Sequence, residues 1–264
     1  MRTLLHTLWR FRAFFIASVK REVKSRYVNS GMGAVWLFLN PVLQLLIYYF
    51  VFEKIFQIKF NSLAGQDFIA FVAVGLWPWV AFSEGLLSGT NAIDKHQSLL
   101  KKMQVPRALL VLIEVCVPFL IHFLGFVFIL VVLLLFGQSL ALWWLPLLLA
   151  VYGLQLLFCF ALSLALSAVQ VFLKDVAQVL TPVMMVWFYL TPIIYPASLL
   201  PDAAKGLLAA NPMAAFISAY RDLLLDNHWV NWSTWAIMLC TVALALLGGY
   251  ALFRRLSARF EDMF

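Results

Sequence analysis

Residues 3–52, TLLHTLWRFRAFFIASVKREVKSRYVNSGMGAVWLFLNPVLQLLIYYFVF, join a basic amphipathic leader to an apolar run long enough to cross a bilayer. That junction decides the fold. On a helix Leu4, Leu8, Phe11, Phe15 and Val19 recur at three- and four-residue spacing on one face, while His6, Arg10, Ala13, Ala17, Lys20 and Lys24 fall opposite. Arg12 and Glu22 break the pattern. A basic amphipathic helix feeding directly into a span is expected to lie in the headgroup plane on the cytoplasmic side, where it can meet a soluble partner. A plain surface anchor is the alternative. A secretory signal is not expected, because Ala13 to Val19 is short, is closed by Lys20-Arg21 and precedes no small-residue cleavage pattern.

The rest of the chain agrees with a membrane setting. Of 264 residues 64% are hydrophobic and 12% charged, where soluble domains carry about 25% charged residues. No polar stretch is long enough to form a soluble domain. The formal charge of +7 sits in clusters beside apolar spans, with no stacking platform or recognised nucleic-acid motif between them. It therefore reads as membrane orientation rather than nucleic-acid binding. Cys116, Cys159 and Cys240 all lie inside apolar runs, with neither a disulfide framework nor metal-ligand spacing.

Six spans are expected at residues 33–52, 68–90, 108–136, 142–169, 177–195 and 232–253. With both termini in the cytoplasm, fifteen of the nineteen Lys and Arg residues fall inside, leaving Lys54, Lys59, Lys205 and Arg221 outside. That excess sets the orientation. The result is an all-α polytopic membrane protein: a cytoplasmic amphipathic interface segment over 1–31 and one transmembrane domain over 32–264.

Several features within the spans could carry function. Asn40-Pro41 and Gly75-Leu76-Trp77-Pro78-Trp79 weaken their helices and call for protein neighbours. Tyr48 to Phe52 is either an interfacial aromatic belt or a pore lining. Glu84 and Glu114 are carboxylates at membrane depth, with His122 two turns beyond Glu114. They could form a proton relay or simply pair with polar groups near the inner interface. The cytoplasmic loop 90–107 is expected to hold one polar helix, Ile93 to Met103, acting as a solvated connector or a docking element. The outer segment 197–226 splits at Asn211-Pro212 into two apolar pieces, Ser198 to Ala210 and Met213 to Leu225, each too short to span. They read as two re-entrant gate helices between spans five and six, or as helices lying on the outer leaflet.

Absent motifs narrow the field. No glycine begins a G-x-x-x-x-G-K-[ST] phosphate cradle, so no ATP site is expected in this chain. H-E-x-x-H, G-x-S-x-G and Cys/His clusters are missing as well, leaving an intramembrane hydrolase or transferase without a constellation. No internal repeat of the first three spans is evident.

The chain resembles the permease subunit of the ABC-2 family of exporters, in the branch that exports polysaccharides such as O-antigen, capsule and teichoic acid. The resemblance covers nearly the full length. It rests on Arg21 to Tyr27, Ser30-Gly31-Met32-Gly33-Ala34-Val35-Trp36, Asn40-Pro41, Gly75-Leu76-Trp77-Pro78-Trp79 and Leu99-Leu100-Lys101-Lys102 with Val105-Pro106-Arg107. To these it adds Thr191-Pro192-Ile193-Ile194-Tyr195-Pro196 and Asn211-Pro212 with Arg221-Asp222. Lys174-Asp175 departs from an arginine that often precedes the aspartate in the family.

The resemblance implies a homodimer enclosing a channel in the bacterial inner membrane. Its substrate would be a lipid-linked polysaccharide, and its motor a separate cytoplasmic ABC ATPase dimer that holds the ATP and magnesium. Under it, Arg10, Lys20 and Arg21 of the leader, with Asp94, Lys95, His96, Lys101, Lys102 and Arg107 of the loop, would couple to the ATPase. Pro192, Pro196, Asn211, Pro212 and Arg221 would belong to a periplasmic gate. Flat aromatic walls can support sugar rings without gripping them, and the candidates are Tyr48, Tyr49, Trp77 and Trp79 with Phe188, Tyr189 and Tyr195. An ABC-2 drug exporter and a lipid-handling membrane enzyme are the competing readings.

Overall fold

The computed structural model describes residues 9–26, 35–55, 68–201, 206 and 208–260, which are helical with no strand among them. The elements are α1 (Arg12–Ser25), α2 (Val35–Tyr49), α3 (Phe68–Thr90), α4 (Ala92–Lys95), α5 (Gln97–Lys102), α6 (Arg107–Leu135), α7 (Leu145–Phe172), α8 (Val176–Leu190), α9 (Pro212–Leu224) and α10 (Trp232–Ser257). Among the described residues, α3, α6, α10 and α7 with its leading turn from Leu142 are long and apolar enough to cross a membrane. Helix α2 runs on as a widened turn, Phe50–Ile55, so the backbone stays helical past Asn40-Pro41. Helix α8 has 15 residues, roughly 22 Å at the usual rise and short of the hydrocarbon thickness.

The mast of the bundle is α3. Its sequence is apolar all round, as expected of a helix with neighbours on every side. Helices α6, α7 and α9 bury nearly its whole length, with Trp77 and Phe82 among the largest fully enclosed side chains. Lipid tails are as apolar as leucine, so close packing rather than water expulsion holds these helices together. Small residues make the approach possible. Gly249 of α10 lies directly against the Ala161 carbonyl of α7, and Gly89 of α3 meets the Ser163 side chain. At Gly125 of α6 a Cβ would stand 2.7 Å from the Trp77 indole nitrogen.

Rings and amides tie the short helix α9 into this bundle. Phe82, Phe158 and Phe216 form a stack across α3, α7 and α9, with centroids 5.6 Å and 5.9 Å apart. Gln155, wholly buried on α7, donates to the Pro78 carbonyl at 2.9 Å and accepts from the Tyr220 hydroxyl at 2.7 Å. A polar side chain in an apolar interior is stable only when its groups are paired in this way.

A second, smaller core forms where α1 lies on the first half of α6. Val19 is buried there with Leu109, Leu110, Ile113 and Val117, and Phe11, Phe15 and Val23 pack at its edge. The amphipathic face expected from spacing is the packed one, while Arg10, Ala13, Ala17, Lys20 and Lys24 are exposed; Leu4, His6 and Leu8 lie outside the described residues.

Two expectations are corrected. The polar helix expected over Ile93 to Met103 is two, α4 and α5, broken at His96, whose side chain turns inward. The fifth helix ends at Leu190, and Thr191 to Pro196 is an irregular turn held by side chains from α9. Of the first outer piece, Ser198 to Ala210, positions 202–205 and 207 lie outside the described residues; among the described ones a turn covers Ala197–Leu199, and 206 and 208–210 are helical.

Candidate functional site: a cytoplasmic junction, an aromatic groove and an outer clamp

Where α1, α4 and the start of α6 meet at one end of the bundle, charges pair across elements distant in sequence. Glu114 on α6 is 1% exposed and accepts from His96 Nε2 at 2.7 Å and Lys95 Nζ at 3.0 Å. The same Lys95 ammonium pairs with Glu22 of α1. Asp94 turns the other way, 2.7 Å from Lys174 Nζ and 3.5 Å from the Gln170 amide at the end of α7. Arg26, just past α1, pairs with Glu84 and reaches Ser88 at 3.2 Å, and His122 contacts the second Glu84 oxygen at 2.5 Å. Arg107 donates to the Ser257 carbonyl and stacks 5.5 Å from the centre of the Phe260 ring, joining the start of α6 to the end of α10. Of the two roles open to Glu84 and Glu114, this geometry fits pairing with polar groups. His122 serves Glu84, not Glu114.

Between α2, α3 and α8 lies a groove of about 320 Å³ lined by Gln44, Tyr48, Trp79, Ser83, Phe188 and Tyr189, with Met184 and Met185 alongside. Gln44 and Tyr48 are hydrogen-bonded to each other at 3.3 Å. Trp79 packs edge-on against Trp187 and tilted against Phe188, which fixes its ring plane. The groove thus offers aromatic faces with an amide and hydroxyls between them, the surface chemistry that suits sugar rings. A larger groove, about 600 Å³, runs between α7, α8 and α10, and Thr241 is the one polar side chain among residues such as Leu86, Phe158, Leu162, Leu180 and Leu244 that line it.

The other end of the bundle is clamped by two side chains flanking or within α9. Asn211 caps the helix by accepting from the Met213 amide at 3.0 Å, with Pro212 in the first turn where its missing N–H costs nothing. It also accepts from Trp187 Nε1 at 2.8 Å and donates to the Leu190 carbonyl and Thr191 hydroxyl at 3.2 and 2.9 Å. Arg221 is buried, and its guanidinium donates to the carbonyls of Phe71, Pro192 and Ile193 while lying over the Phe71 ring. Burial pulls its pKa down to about 9, so the charge persists at neutral pH. Burial likewise lifts neighbouring Asp222 to about 6, with Asp226 adding to the rise. Gly75 leaves room for the clamp, since a Cβ there would stand 2.9 Å from Arg221 Nη2.

The profile of the family described as ABC-2 type transporter matches residues 13–225. The chain belongs to that family. This ABC-2 chain is similar to the O-antigen export system permease protein RfbA of Myxococcus xanthus, 32% identical over 237 residues that cover 86% of each chain. It is also similar to the protein of the same name from Klebsiella pneumoniae, 27% identical over 255 residues covering 94% of this chain and 93% of that one. The polysialic acid transport protein KpsM of Escherichia coli is 19% identical over 234 residues, 89% of this chain and 90% of that one.

The residues singled out in this ABC-2 chain are distributed unevenly. Tyr48, Trp79, Phe188 and Tyr189 come together in the groove; Tyr195 sits beside it, its hydroxyl on the Tyr189 carbonyl at 2.7 Å. Tyr49, on the same helix as Tyr48, is half-buried outside the groove. Trp77 faces the other way, 2% exposed and pressed against Gly125, so it packs the subunit and offers no face to a polymer here. Arg10, Lys20, Arg21, Lys101 and Lys102 point to solvent or headgroups, whereas Asp94, Lys95 and His96 bind within the protein. Pro192 and Pro196 are buried in the turn that Arg221 grips. Spacing did not single out Gln155, Trp187 or Gln170. A lone glutamine in an apolar span was the available signal, since its amide calls for a partner there.

Proposed function

We propose that this chain is one transmembrane half of an ATP-driven exporter that moves a lipid-linked polysaccharide of the O-antigen class across the bacterial inner membrane. The observation that carries this reading is the similarity, over most of both chains, to permeases named for O-antigen export. The likeness to a polysialic acid transport protein favours capsule-type polymer as the second substrate. The chain itself is not catalytic; ATP and magnesium belong to a cytoplasmic ATPase dimer.

Six crossings complete the topology, with α2 extended to Ile55 and α8 extended by the clamped turn as the two short ones, and with both termini cytoplasmic. Residues 1–31 form the interface segment and 32–264 one membrane domain. Two copies meet so that their aromatic grooves face a shared channel, and the polymer slides past Tyr48, Trp79, Phe188 and Tyr189. Segment 197–226 acts as the outer gate: α9 is re-entrant, since its partners Gln155 and Phe158 lie ten or more residues inside α7, roughly 15 Å deep. Lys101 and Lys102 at the tip of the cytoplasmic loop, with the leader cations Arg10, Lys20 and Arg21, meet the ATPase, whose closure must favour one permease state over the other to do work.

The test is reconstitution with the ABC ATPase encoded beside it. Co-purification of the two subunits and ATP-dependent passage of lipid-linked O-polysaccharide in proteoliposomes are expected. Transport that proceeds equally without ATP, or a chain that never binds an ATPase, would overturn the reading. ATP-driven movement of small apolar compounds in place of polymer would assign it to drug export.

A further inference from the structure

Among its described lining residues, the groove between α2, α3 and α8 carries no charged side chain: Gln44, Tyr48, Ser83 and Tyr189 supply an amide and hydroxyls beside the Trp79 and Phe188 rings. The hydrogen-bond inventory of those groups is lopsided. Ser83 donates its single hydroxyl proton to the Val80 carbonyl at 3.3 Å, so its oxygen is left to accept. Gln44 spends an amide N–H on the Tyr48 hydroxyl at 3.3 Å, and its carbonyl oxygen is an acceptor too. Next to Ser83 on α3 stands Glu84, an anion held by Arg26 and His122, which offers no attraction to a second anion.

Resting on the exporter reading above, we propose that this groove selects a neutral glycan and turns away an acidic one, with Gln44 and Ser83 as the specificity-determining residues. A sugar hydroxyl donates as well as accepts, so it can bond either oxygen while its ring lies on an aromatic face. A sugar carboxylate only accepts. In the groove it would leave water without gaining a cation, the least favourable way to bury a charge, and it would bring its oxygens against the Gln44 and Ser83 oxygens. A polymer with a carboxylate on every residue, such as polysialic acid, meets that penalty at each step of its passage. A polymer of neutral hexoses avoids it. The two substrate classes are thereby ordered, with neutral O-polysaccharide first and acidic capsule polymer second.

The experiment uses the full chain with its ATPase in proteoliposomes and supplies two polymers of matched length on one lipid carrier, a mannan and polysialic acid. The mannan is expected to be exported at least about tenfold faster, as an unpaired buried charge on the acid requires. Gln44→Lys should raise the ratio of polysialic acid to mannan exported at least about threefold, and Gln44→Leu should slow the mannan about threefold without helping the acid. In a second measurement, mannohexaose and a sialic acid hexamer are titrated onto the purified chain in detergent, reading the part of the tryptophan fluorescence that Trp79→Phe removes. Quenching by mannohexaose alone is expected. Equal export of both polymers, a ratio unmoved in Gln44→Lys, or quenching by the acidic hexamer that matches that by mannohexaose would overturn neutral selection. A complex that exports neither polymer counts against the exporter reading instead. The fluorescence comparison then decides the preference of the groove, and quenching by neither sugar would overturn the proposal as well.

Discussion

Asn211 illustrates how much one side chain can decide. Its four hydrogen bonds join the cap of α9 to the end of α8 and to Trp187, so Asn211→Ala loses a helix cap and leaves a half-buried indole N–H without its acceptor. A cost of about 1–3 kcal/mol is expected from a lost cap plus one unpaired, partly buried donor, measurable by thermal unfolding of the purified chain in detergent. Asn211→Asp keeps both acceptor bonds and should recover at least half of that loss. Asp222 makes a pH-dependent contribution. Its pKa in the fold is raised from 3.8 to about 6 by desolvation, so the folded state favours the protonated form. The stabilisation is complete below about pH 4 and is lost as pH rises through about 6. Asp222→Asn should flatten the fall in melting temperature between these values, and an unchanged pH slope would show that another group sets it.

At the scale of elements, α9 is the informative case. An apolar helix of 13 residues too short to span could rest on the membrane surface, but the Phe82–Phe158–Phe216 stack and the Gln155–Tyr220 bond hold it among the long helices. Amide exchange across Met213–Leu224 is therefore expected to be as slow as in α3, and fast exchange there would place α9 on the surface. Gln155→Leu removes the acceptor of the buried Tyr220 hydroxyl and the second donor to the Pro78 carbonyl, which should cost roughly 1–3 kcal/mol and loosen α9 first. Glycine contacts matter in the same way. Gly249→Ala drives a methyl into the Ala161 carbonyl across the α7–α10 crossing, and the expected readout is lost expression of folded protein, with Gly248→Ala, which meets nothing, as the tolerated control.

For the whole molecule, the proposed polymer route runs past the aromatic groove between α2, α3 and α8. If polymer slides along the groove, replacing Trp79, Phe188 and Tyr189 together by alanine should slow export at least about tenfold, since each ring is worth roughly 0.5–1.5 kcal/mol. Assembly with the ATPase and basal hydrolysis should persist, because the three rings make none of the ion pairs that hold loop 90–107. Export at wild-type rate in this triple variant would remove the groove from the path. The 600 Å³ flank groove lacks the polar groups to orient a sugar and suits acyl chains instead.

The sequence by itself determined the helical class, the long spans and the basic leader, because an apolar run in lipid must satisfy its backbone internally and has few ways to do so. It also placed Glu84 and Glu114 among polar partners, yet not which ones. Glu22 and Lys95 are 73 residues apart, and Arg26 and Glu84 are 58 apart; the charge pattern permits several exchanges of partner, and only the approach of α1 to α6 selects one. The orientation of Trp77 and Trp79 around α3 was illegible for a related reason. A helix apolar on every side has no periodicity to say which ring faces a neighbour and which a groove, and Gly125 and Trp187 settled that in three dimensions.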